Sequence, residues 1–220
     1  MIFVVIPAYN EEKNIGRVVR GLIQYGYANI VVIDDGSCDK TGEEARIAGA
    51  VVLHHTINRG QGAALQTGDD YILLRGASVA VHFDADGQFD AADIAPAIKL
   101  LQEKQLDVVL GSRFLDNRSR IPFFKKFVVF PVGRLINFFL TGLKLSDVHN
   151  GFRILSRHAL EQIHITQDGM AHNSEIIAQI KKKNLKFAEQ PVLVYYYEYG
   201  QGIGGGLKIL RDWILAKLIK

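Results

Sequence analysis

The sequence predicts an α/β fold with a mostly parallel, Rossmann-like sheet and helices on both faces. Three observations carry that reading. Over residues 1–111, short apolar stretches alternate about five times with helix-length segments. The apolar stretches are hydrophobic throughout instead of alternating with polar residues, as strands covered on both faces require. Three of them, ending at Ile6, Ile33 and Phe83, run into acid-bearing loops, and strand ends along one edge of such a sheet can converge on one ligand.

Taken in order, residues 2–6 read as the first strand, broken at Pro7-Ala8-Tyr9. Asn10 is placed to cap a helix carrying Glu11 and Glu12 in its first turn and running to about Tyr25. Residues 30–33 form a second strand ending in Asp34-Asp35-Gly36-Ser37, and a helix over 41–48 follows. A third strand, 51–54, leads through Asn58-Arg59-Gly60-Gln61-Gly62 into a helix over 63–74. The fourth strand, 79–83, is followed by a helix near 92–105 and a strand at 107–110.

The rhythm then changes. Residues 112–122 are polar and basic, and 125–143 are helical, Phe-rich and interrupted by Pro131. A polar turn from Asp147 enters a short strand at 152–155. Helices are expected at 157–163 and 174–183, strands at 187–189 and 191–197, and a final helix at 207–220.

The chain's 220 residues suffice for one sizeable core. A net charge of +3 gives no global signature of nucleic-acid binding. Cys38 stands alone, so no internal disulfide forms. The apolar N-terminus lacks a basic leader and reads as a strand rather than a signal peptide. The longest apolar stretch, 127–145, is interrupted by Pro131, Gly133, Arg134 and Asn137, and is a poor membrane span.

The segment that organises the chemistry is 79–88, VAVHFDADGQ. Asp84 and Asp86 leave a buried strand two residues apart, so in an extended chain they point the same way. Two clustered carboxylates repel, and a hard divalent cation with oxygen ligands relieves that repulsion. The competing reading is an Asp-rich turn that caps the next helix. An EF-hand is excluded, because its twelfth loop position falls on Ala95. The histidines show no ligand spacing, and His82 and His149 read as structural polar groups, as does Glu175 at its helix start. Gly200–Gly205 satisfies G-x-G-x-x-G, but too little chain follows for a dinucleotide-binding unit, so these glycines read as a loop over the site.

Five motifs in order, Pro7-Ala8-Tyr9-Asn10-Glu11, Asp34-Asp35-Gly36-Ser37, Asp84-Ala85-Asp86-Gly87-Gln88, Gly111-Ser112-Arg113 and Asp147 with Asn150-Gly151-Phe152-Arg153, resemble glycosyltransferase family 2. The likeness is to its polyprenyl-phosphate (dolichol-phosphate) mannosyltransferase and glucosyltransferase branch, over about residues 1–155. It implies a GT-A domain over 1–206, with a nucleotide-sugar half (1–111) and an acceptor half (112–206), followed by a C-terminal amphipathic helix (207–220). It implies a GDP- or UDP-linked donor, such as GDP-mannose, and Mn2+ or Mg2+ held at Asp84, Asp86 and Gln88. By the same resemblance, Pro7, Tyr9 and Glu11 border the nucleotide and Asp35 meets its base or ribose. Arg113 and Arg153 match basic residues on the acceptor side, and Asp147 the acid that opens the acceptor loop. The tail departs from the pattern: Tyr195-Tyr196-Tyr197-Glu198-Tyr199 and glycines precede Lys208, and no appended transmembrane helices follow.

The acceptor decides the chemistry. A sugar hydroxyl needs a general base, for which Asp147 is the candidate. A phosphate monoester, with a second pKa of about 6, is already largely ionised and needs only cations such as Arg113 and Arg153. The expectation is inverting, metal-dependent transfer of mannose or glucose to a polyprenyl phosphate. The alternatives are transfer to a saccharide hydroxyl, a nucleotidyltransferase, and a non-catalytic nucleotide-sugar-binding subunit. Basic and apolar residues interleave over 207–220, including Trp213, so docking on the cytoplasmic leaflet is expected, with room for a separate transmembrane partner.

Overall fold

A computed structural model describes residues 1–116, 118, 119, 134, 135, 138, 142–148 and 150–196. The sequence-predicted helices at 125–143 and 207–220, the glycine loop, His149 and Lys208 lie wholly or largely outside the described residues. Seven strands form one sheet in the order β3-β2-β1-β4-β6-β5-β7. They are β1 (Ile2–Ala8), β2 (Ile30–Asp34), β3 (Val51–His54), β4 (Val79–His82), β5 (Val108–Ser112), β6 (Arg153–Ser156) and β7 (Phe187–Pro191). Every neighbouring pair is parallel except those made by β6, which runs against β4 and β5.

The helices are α1 (Ile15–Gln24), α2 (Thr41–Ile47), α3 (Gln61–Leu74), α4 (Ile94–Glu103), α5 (Arg157–Gln162) and α6 (His172–Lys182), with a 3₁₀ turn at Ala91–Asp93. The period of two along β1 shows why the strands read as unbroken apolar runs. Val4 and Ile6 enter one core layer with residues of α1 and α4, while Phe3 and Val5 enter the other with residues of α3, α5 and α6.

Two elements differ from the sequence expectation. Helix α1 begins at Ile15, not after Asn10. Asn10 adopts a left-handed backbone (φ 57°), and its side-chain oxygen accepts the Cys38 N–H at 2.9 Å. Asn tolerates that conformation where most side chains do not, so it serves the loop instead of the helix. The strand expected over 191–197 is not seen among the described residues. Of residues 192–196, only Val194 makes a bridge, to Phe89. The other amides are taken across the chain: Leu193 donates to Asp93, Val194 to Ser119 Oγ and Tyr195 to the Gln88 carbonyl. Pro191 itself closes an edge strand, where a missing N–H costs no ladder bond.

Candidate active site

Because β1, β2, β4 and β5 are parallel, their C-terminal ends share one edge of the sheet. β6, running the other way, begins at that edge. The first two loops are knitted together there. Asn10 N–H donates to Ser37 Oγ (3.0 Å), Glu11 N–H to Thr41 Oγ1 (2.7 Å) and Glu12 N–H to Asp39 (3.2 Å). Pro7 lies within β1, paired with Ile33, and Tyr9 stands exposed just beyond its end.

Asp35 is 3% exposed and already engaged. Its carboxylate accepts from the N–H groups of Arg59 (3.0 Å) and Gly60 (2.6 Å) and bonds His55 Nδ1 at 2.6 Å. It thereby fixes the loop that opens α3. Gly60 has a φ of 105°, and a Cβ there would lie 2.4 Å from the Asp168 carbonyl. Only glycine satisfies both constraints.

The acid pair lies at the end of β4. Asp84 Oδ1 accepts from Gln61 Nε2 at 3.1 Å, and Asp86 accepts the Gln88 N–H at 2.9 Å. The β4–β6 register puts His82 opposite Arg153. Continued by two residues, it puts Asp84 opposite Gly151, where a Cβ would fall 2.5 Å from the carboxylate. Burial and the neighbouring Asp86 push the Asp84 carboxyl up to about 7, against the opposing pull of Arg153, Arg113 and Gln61. Asp86 is raised by burial, and Glu11 by burial with Asp86 and Asp39 adding to it. Among the described residues, no three His, Cys, Asp or Glu side chains converge to enclose an ion. Two half-buried, mutually repelling carboxylates at a sheet edge fit a hard cation that completes its shell with water and phosphate oxygens.

Arg113 and Asp147 meet directly. Arg113 Nε donates to Asp147 Oδ2 at 2.6 Å and Nη2 to Oδ1 at 3.1 Å, and the Arg113 N–H and Asn150 Nδ2 also donate to Oδ2. Arg113 Nη1 donates to the Tyr196 hydroxyl at 3.0 Å. Burial works against the guanidinium charge, but Asp147 and Tyr196 hold its pKa above the usual range. The Asp147 side chain has no exposed surface.

Arg153 sits elsewhere. It is 2% exposed, and its Nη2 donates to Asn173 Oδ1. Burial lowers its pKa to about 10, with Asp84 and Asp69 pulling the other way. It stands behind the acid pair with His82, which is bound to Asp69 at 2.9 Å. Glu175 accepts from the Thr166 and Gln167 N–H groups and so serves its own loop. Sequence reasoning passed over His55, Gln61, Asn173 and Glu189. Gln61 carried a signal, in a Gly-flanked loop opening a helix; the other three carried none.

Residues 3–164 fit the model of the family described as glycosyl transferase family 2. The chain is 38% identical over 99% of its length to uncharacterized protein MJ1222 of Methanocaldococcus jannaschii, covering 92% of that protein. It is 34% identical, over its whole length and 97% of the relative, to the UDP-N-acetylglucosamine–dolichyl-phosphate N-acetylglucosaminyltransferase of Methanococcus voltae. Among solved structures it resembles Mycobacterium tuberculosis glucosyl-3-phosphoglycerate synthase in complex with Mn2+, UDP and phosphoglyceric acid. The TM-score there is 0.75 at 19% identity, over 97% of this chain and 76% of that one. The fold is GT-A, and the protein is a glycosyltransferase. The chain belongs to glycosyl transferase family 2, with relatives in its polyprenyl-phosphate branch. Among the described residues no helix is long and apolar enough to cross a membrane.

Proposed function

We propose that the protein transfers a sugar, with inversion, from a nucleotide-diphosphate donor to a polyprenyl phosphate. The observation that carries the phosphate acceptor is the state of Asp147. A hydroxyl acceptor needs a base within reach of its proton. The Asp147 carboxylate is buried and held by two guanidinium nitrogens, a backbone N–H and Asn150. An ionised phosphate needs no base, only a fixed positive charge. Arg113, close enough to Asp84 to lower its pKa, supplies that charge beside the acid pair. Arg153 acts from behind, offsetting the charge of Asp84.

Asp84, Asp86 and Gln88 would hold the divalent cation, which when bound supplies Lewis-acid stabilisation of the departing diphosphate. Pro7, Tyr9, Glu11 and the Asp35-fixed loop border the nucleotide. The dolichyl-phosphate relative, similar over the full chain, supports a uridine donor ahead of a guanosine one. Residues 1–111 then serve the donor and the chain beyond Ser112 the acceptor, on the cytoplasmic face of a membrane.

The test is transfer from radiolabelled UDP-N-acetylglucosamine, UDP-glucose and GDP-mannose, with Mn2+ or EDTA, to polyprenyl phosphate or to free saccharides. Labelled lipid that forms only with the cation is the expected product. Transfer to saccharides alone, or binding of donor without turnover on any acceptor, would overturn the proposal.

A further inference from the structure

Glu189 stands on β7, opposite Leu110 of β5 in a parallel register. β7 is an edge strand, where a carboxylate commonly does no more than keep the edge in water. This one instead turns toward the stretch before Asp147. Its two oxygens lie 2.9 and 3.1 Å from the Ser146 nitrogen, and Oε1 accepts the Ser146 hydroxyl at 2.7 Å and the Asp147 N–H at 3.3 Å. No Lys, Arg or His among the described residues pairs with it.

The hydroxyl contacts have a direction. A carboxylate only accepts, so Ser146 donates to Glu189. Ser112 then donates to Ser146 at 2.6 Å and accepts the Phe114 N–H at 3.2 Å. The residues on either side of Arg113 are thus tied to Glu189 through Ser146. The next residue, Asp147, takes the Arg113 fork.

We propose that Glu189 is a positioning residue for the acceptor side of the site, holding the 146–147 turn so that Asp147 presents Arg113 to the acceptor phosphate. This rests on the reading of Arg113 given above. Charged acceptors bind N–H groups more strongly than neutral ones, so an amide at 189 leaves the turn weakly held.

The experiment compares wild type, E189Q, R113Q and the double variant by kcat, by KM for polyprenyl phosphate and for nucleotide sugar, and by melting temperature. E189Q keeps the shape and guards against a failure of folding; E189D is measured beside it and should recover part of the loss. E189Q should raise the acceptor KM about 5- to 30-fold and leave the donor KM within about twofold. In the double variant the acceptor KM should match that of R113Q, because the two substitutions break one chain of contacts. If R113Q raises the acceptor KM and E189Q does not, or if E189Q raises both KM values alike, the role of Glu189 falls. If R113Q itself leaves the acceptor KM unchanged, the reading of the acceptor side falls and takes this inference with it.

Discussion

The two sides of the site are built on opposite electrostatic terms. On the side proposed for the donor, Glu11, Asp84 and Asp86 crowd together, burial raises the pKa of all three, and among the described residues Asp84 has only the Gln61 amide as a hydrogen-bonding partner, with cations at a distance. On the side proposed for the acceptor, Arg113, Asp147, Asn150, Ser146 and Glu189 bond one another. Uncompensated charge marks where a ligand must bring its own counter-charge. Compensated charge marks machinery whose geometry is complete before the substrate arrives.

The sharpest way to break this comparison is at the acid pair. D86N should lower kcat by about 10²- to 10³-fold and abolish Mn2+-dependent binding of UDP, read by calorimetry. A variant that keeps both would mean that the pair holds no cation. Next in size is G151A, which drives a methyl group into the space of the Asp84 carboxylate. Cation affinity should drop about tenfold, with a stability cost of about 1–3 kcal/mol.

On the paired side, D147N should raise the acceptor KM several-fold through a loosened Arg113, while kcat falls by less than about tenfold. A fall of about 10³ or more would restore Asp147 as a base and favour a hydroxyl acceptor. The smallest effect is on stability. Asp84 has a folded pKa near 7, above its unfolded value, so its contribution is intact in acid and is lost as pH rises toward 7. Metal-free D84N should therefore be more stable than wild type at pH 8, by about 1–2 kcal/mol after allowance for partial exposure, and no more stable at pH 4. Thermal melts in EDTA at the two pH values check both the sign and the window.

The sheet was legible because buried parallel strands are short apolar runs, and residues 2–6, 30–33 and 79–83 are such runs; 51–54 reads the same way although it forms a partly exposed edge strand. The place of the acid pair was legible too, since Asp84 and Asp86 directly follow one of them. What escaped were contacts between residues distant in sequence. Nothing near Asn10 announces that its side chain will reach Cys38, so the start of α1 was placed four residues early. Arg153 and Arg113 are both arginines in polar motifs; only the β4–β6 register shows that one is buried behind Asp84. Glu189 looks like an ordinary edge-strand carboxylate until the 146–147 turn is seen against it.

One strand runs against all its neighbours. Since β6 enters the sheet at the edge where β5 leaves it, the chain between Ser112 and Arg153 departs from and returns to adjacent points. An excursion anchored so closely at both ends can be lengthened, shortened or exchanged while the sheet beneath keeps its order. The same scaffold can thereby present one nucleotide cradle to many different recipients.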